Sequence, residues 1–185
     1  MTQRLVCVLL FSAVVGACGG GSSSGGSGSP TTPTPPPAAT VVNVAGIWNG
    51  TATLRSASPA GHCVADLYRS AVGGTQAFTW TITQNGTSLA ISEAAGGDTS
   101  KATGSIAASA ISITWDYSSG AWGEALVCPD GVSRSFRMSS GTASATVAGS
   151  QITGNSTFLY NSSVTATGAD AGIVTVTDTF VVTRQ

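Results

Sequence analysis

This chain carries little charge. Only 8% of its 185 residues are charged, with 7 Lys+Arg against 8 Asp+Glu. Seven cations spread along the whole length cannot build the basic face that nucleic acid requires. Lys and Glu, the usual residues of helix surfaces, are nearly absent, and almost no stretch repeats apolar residues at helical spacing. There is no His-Glu-x-x-His, no phosphate-cradling glycine loop, and no carboxylate pair at an interpretable spacing. One histidine with two cysteines beyond the N-terminal region makes a poor metal set, so neither metal nor cofactor is expected. Gly21 to Gly25 fits Gly-x-Ser-x-Gly, but no strand precedes it and no helix follows. These absences argue against an enzyme. What is abundant is Gly, Ser, Thr and Ala, which suit strands and turns. The expected class is all-β.

The first residues read MTQRLVCVLLFSAVVGAC. Arg4 precedes an apolar run from Leu5 to Val15, too short for a permanent membrane helix. Val15-Gly16-Ala17-Cys18 resembles the lipobox of bacterial lipoprotein precursors. The resemblance implies removal of residues 1–17 as a signal peptide and acylation of Cys18, by palmitate or a similar chain. The other reading is an ordinary secretory signal cleaved after Ala17. Residues 19–29 are only Gly and Ser, and residues 30–40 only Pro, Thr and Ala. Such a segment spans about 40–50 Å as a coil followed by a stiffer polyproline stretch. Residues 18–44 are therefore expected to form a tether and residues 45–185 the folded domain. The expected location is a bacterial cell envelope, with the domain lipid-anchored at the outer membrane or cell surface. Asn85-Gly86-Thr87, which formally fits a glycan acceptor, then reads as a hairpin turn.

Eight strands are expected near 46–55, 76–84, 87–93, 101–107, 110–117, 134–147, 151–160 and 172–184. Alternation is clearest where Phe78, Trp80 and Ile82 oppose Thr79, Thr81 and Thr83. Ile111, Ile113, Trp115 and Tyr117 repeat the pattern, as do Val174, Val176, Phe180 and Val182. The second, fourth and sixth connections are short. The first, third, fifth and seventh, about 56–75, 94–100, 118–133 and 161–171, read as long. In a meander, successive turns alternate between ends, so short turns collect at a base and long loops at a mouth. The expected architecture is an eight-stranded antiparallel up-and-down barrel.

Gly46-Ile47-Trp48 opens the first strand and Arg184 ends the last. This resembles the lipocalin and wider calycin barrels, whose tryptophan packs at the base against an arginine from the final strand. The resemblance implies that fold, with Trp48 and Arg184 meeting at the base. Cys63 and Cys128 fall in the first and fifth loops, both at the mouth, and export favours their oxidation to a disulfide. The competing reading pairs His62 with Cys63 as base and nucleophile, although adjacent residues rarely converge in this way.

Asp178 is in phase with Val176 and Phe180 and should point inward. It is either satisfied by a neighbouring strand or available to a ligand. Arg137 should point outward. Small inward residues, among them Gly50, Ala102 and Gly154, either leave a lumen or admit close strands. Two functions remain open. In the first, the barrel binds a small, largely apolar ligand, with Tyr117 and Trp122 at the rim, Trp80, Trp115 and Phe180 deeper, and Asp178 as polar anchor. In the second, it is a non-catalytic envelope or surface interaction module with a solid core.

Overall fold

The computed structural model describes residues 40–117 and 123–185. The leader, Cys18, most of the tether and Trp122 lie outside the described residues. Nine strands and one helix run in the order β1 (Gly46–Ser58), α1 (Cys63–Ser70), β2 (Thr75–Asn85), β3 (Ser88–Ala95), β4 (Asp98–Ala107), β5 (Ala110–Asp116), β6 (Gly123–Val127), β7 (Ser133–Ala148), β8 (Gln151–Val164) and β9 (Asp170–Arg184). Eight of them close a barrel in the order β1-β2-β3-β4-β5-β7-β8-β9, with β9 returning to β1. Every pairing is antiparallel and follows the chain, apart from the step over β6. β6 is an annex. The 16-residue β7 gives Ser140–Thr146 to β5 and Ser133–Arg137 to β6, with a register shift between Met138 and Ser140.

The base is built from two-residue turns at Gly86-Thr87, Ala108-Ser109 and Gly149-Ser150. Asn85 still pairs with Ser88, so the first of these turns is centred one residue later than Asn85-Gly86. The expected long third connection is also a two-residue turn. Ala95 pairs with Asp98, and only Gly96 and Gly97 intervene, at φ 59° and 94°. Two glycines in sequence allow the positive φ that a tight hairpin needs, and the strands zip further than alternation alone suggested. The mouth is therefore built by three connections. The first contains α1, the fifth contains β6, and the seventh is the shorter stretch 165–169.

Residues 41–45 cross the base. The Trp48 indole donates to the Val44 carbonyl at 2.9 Å, and the Val44 N–H donates to the Gln84 side chain at 2.7 Å. Trp48 and Arg184 are cross-strand partners, with the guanidinium 5.4 Å from the ring centroid. A cation over indole contributes ~0.5–2 kcal/mol. At the mouth, α1 turns Val64, Ala65 and Tyr68 to one side. The first two are fully buried against Phe136, Val174 and Val176. A disulfide joins Cys63, at the start of α1, to Cys128, just after β6, with Cα atoms 5.7 Å apart.

Candidate functional site

Along every strand the residues of one face point into the barrel, and their burial changes with height. Near the base, Ile82, Ile106, Ile111, Ile152 and Val182 are all at most 2% exposed. Above them lies a layer of rings. Trp80 sits 5.1 Å from Phe180, 5.2 Å from Phe78 and 6.4 Å from Trp115, and Trp115 sits 5.4 Å from Phe158. Inward glycines make room for this layer. A Cβ on Gly141 would lie 2.5 Å from the Phe158 ring, and one on Gly154 would lie 2.6 Å from the Phe180 ring. Gly50 likewise faces the Phe78 ring. Small residues here admit large neighbours and leave no open shaft, so Trp80, Trp115 and Phe180 form a floor.

Higher up, inward side chains are only partly buried. Leu54, Phe78, Glu93, Met138, Phe158, Tyr160 and Asp178 all retain some exposure. α1 roofs the β7–β9 side, where Tyr68, Phe136 and Tyr160 stack with centroids 5.3–6.3 Å apart. The space between floor and roof is a recess lined by both rings and polar groups.

Two carboxylates face it. Asp178 lies between Leu54 of β1 and Ser156 of β8, in phase with buried Val176 and Phe180. No described group donates to it, and burial alone pushes its carboxyl up to about 6. Glu93 lies between Trp80 of β2 and Ser100 of β4. Its acidity is also weakened by burial, partly offset by the Trp80 indole, which donates to Oε2 at 2.8 Å. Tyr117 stands nearby; burial raises its phenol to about 12, and the Glu93 charge adds to the rise. The Ser100 Oγ is buried with no hydrogen-bond partner among the described residues. Tyr160 is raised mainly by burial, then by Tyr68, Asp178 and Tyr117. Glu93 of β3 thus stands with Tyr117, just after β5, and Asp178 of β9 with Tyr160 of β8.

Of the ligand-contact residues expected from sequence, Trp80, Trp115, Phe180, Tyr117 and Asp178 come together around this recess. Trp122 lies outside the described residues. Glu93 and Ser100 are not among the sequence-derived candidates, although Glu93 continues the inward alternation of Leu89 and Ile91. The His62 ring meets the Ala171 carbonyl at 2.8 Å and Cys63 is in the disulfide, so the adjacent pair forms no nucleophile with its base. Two open grooves of about 730 and 490 Å³ lie on the outer wall among outward residues such as Ser112, Asn155, Thr83 and Thr103. The larger also touches Phe180 of the aromatic floor. No protein-family model matches this sequence, and no curated protein matches it.

Proposed function

We propose that this chain is a lipid-anchored envelope lipoprotein whose lipocalin-like barrel binds one small, largely apolar ligand through its mouth. The observation that carries the reading is the change halfway up the barrel, from inward side chains that are fully buried to inward side chains that are not. An eight-stranded barrel can be filled by its own side chains or can hold one small ligand. Here the rings fill the lower half, and the upper half keeps partly exposed aromatic and carboxylate groups. Anchoring is supported by the apolar run before Cys18 and by the Gly/Ser and Pro/Thr segment after it. Binding is favoured over catalysis because, among the described residues, the Ser100 hydroxyl of the recess hydrogen-bonds to no base. The second reading, a solid interaction module, is favoured by the closed aromatic floor and by the α1 roof.

Native mass spectrometry of protein from its own host should show a bound small molecule. Tryptophan fluorescence should respond saturably to at least one compound in a panel of lipids, quinones, retinoids and haem, because Trp80 and Trp115 lie beneath the recess. No adduct and no saturable response would favour the solid module. Cys18→Ala should abolish acyl labelling and release the chain from membranes; a variant still labelled and bound would reject the anchor.

A further inference from the structure

We propose that the larger groove on the outer wall, about 730 Å³ and crossing β5, β7, β8 and β9 to Arg55 of β1, binds an acidic glycan, a short run of sugar rings that carry carboxylates. This is a second site. It shares only Phe180 with the recess residues and goes beyond the reading of a barrel that holds an apolar guest.

The groove has charge of one sign. Arg55 is the one charged residue of its lining, which includes no Asp or Glu. Arg69 and Arg134 have carboxylate partners, whereas Arg55 has none among the described residues. The backbone sets its place. The register between β1 and β9 shifts between Leu54 and Ser56, so Arg55 is the extra residue of a β-bulge. Bulges re-aim side chains, and here the Arg55 Nε donates to Thr179 Oγ1 of β9 at 2.8 Å. That bond pins the guanidinium by one nitrogen, and no described group takes the other two. A guanidinium held in this way can grip a carboxylate through two parallel hydrogen bonds.

The rest of the lining suits sugar hydroxyls. From Thr179 the register runs directly to Asn155, Ser144 and Ser112, one outward polar side chain on each of four neighbouring strands. At ~4.8 Å per strand the row spans about 14 Å, roughly three sugar rings. Hydroxyl and amide groups both donate and accept, as the hydroxyls of a sugar do. A lone oxyanion would leave this row unused. A peptide strand has no edge to join, because β5, β7, β8 and β9 are each paired on both sides at this height. One cation is too few for nucleic acid. A hydroxylated chain that also carries carboxylates uses both the row and the arginine.

Matched pairs test the idea. Tetrasaccharides of galacturonic, glucuronic and mannuronic acid would be titrated calorimetrically into the exported, disulfide-bonded protein, each beside its methyl ester, which lacks the charge. At neutral pH at least one acid should bind, about tenfold or more tightly than its ester. Arg55→Gln should remove about that tenfold and change ester binding little, and Arg55→Lys should restore only part of it, because lysine lacks the fork. Asn155→Ala should weaken acid and ester alike. Lys101→Gln, in the smaller groove, should change neither. Circular dichroism would confirm that the variants fold. The fluorescence response to apolar compounds should be the same in Arg55→Gln as in the wild type, so the wall and the mouth succeed or fail separately. Esters binding as tightly as acids, or an Arg55→Gln protein with full affinity, would overturn the proposal. So would acetate or sulfate binding as well as the tetrasaccharides, or no binding of any tetrasaccharide at millimolar concentration.

Discussion

Asp178 is a residue held against its own preference. An isolated carboxylate in a half-buried site is hydrated less well than in the unfolded chain, and its raised pKa records that loss. The folded form therefore binds the proton more tightly than the unfolded one does. Stability should rise as the pH falls from about 6 towards the ordinary Asp value near 4, and the charged form destabilises the fold above that window. Glu93 shifts in the same direction. Asp130, held near 2 by Arg134, acts with the opposite sign, but only below the window. Urea unfolding of Asp178→Asn should show a shallower rise between about pH 6.5 and 4. It should also show a gain of roughly 1–2 kcal/mol at neutral pH, after allowance for residual hydration. An unchanged pH profile would mean that Asp178 is solvated or paired. At this scale the sequence was informative where the alternation was long. Asp178 lies in a Val/Thr run whose phase is unmistakable. Glu93 closes a run of small residues, Ser-Leu-Ala-Ile-Ser, in which one inward charge looks like a strand end.

Elements were legible in proportion to their length and repetition. The eight barrel strands alternate over enough residues to be read directly. α1 and β6 are 8 and 5 residues long, and both lie inside stretches read as loops. Three apolar contacts at Val64, Ala65 and Tyr68 are too few to establish a helical period in advance, and β6 depends on β7 for its pairing. What fixes these two elements is tertiary: burial of Val64 and Ala65, the ladder along β7, and the Cys63–Cys128 bond that ties one to the other. That bond closes a 65-residue separation, for which chain entropy gives ~4 kcal/mol as an upper figure. The paired substitution Cys63→Ser with Cys128→Ser should lower the urea midpoint accordingly. Hydrogen exchange should speed first in α1, ahead of β1 and β9, because the helix loses its covalent hold while the barrel ladder remains. Uniform loss of protection across the barrel would show instead that the disulfide supports the whole fold.

The whole molecule separates two tasks by height, and the separation can be tested. Short turns, the Trp48–Arg184 contact and the crossing segment at Val44 complete the base, and none of these groups reaches the recess. The closure was legible because turn length alternates with connection number, even with the third connection misjudged: one short turn at the mouth does not reverse the sorting. The filling of the interior was not legible. Gly50 and Gly154 could have meant either a lumen or room for rings, and only packing decides between them. Trp48→Ala removes a side chain that is 1% exposed, leaves the Val44 carbonyl without the indole donor, and takes the ring from beneath Arg184, which keeps its bond to the Ala45 carbonyl. The expected cost is ~3–5 kcal/mol of stability, since a large buried ring is lost and the base refills only in part. Ligand affinity, measured by calorimetry at a temperature where the variant is still folded, should not change, because the aromatic floor lies between Trp48 and the recess. A folded Trp48→Ala protein that lost affinity would show that base and recess are mechanically coupled. One that kept full stability would remove the base contact from the account of the fold.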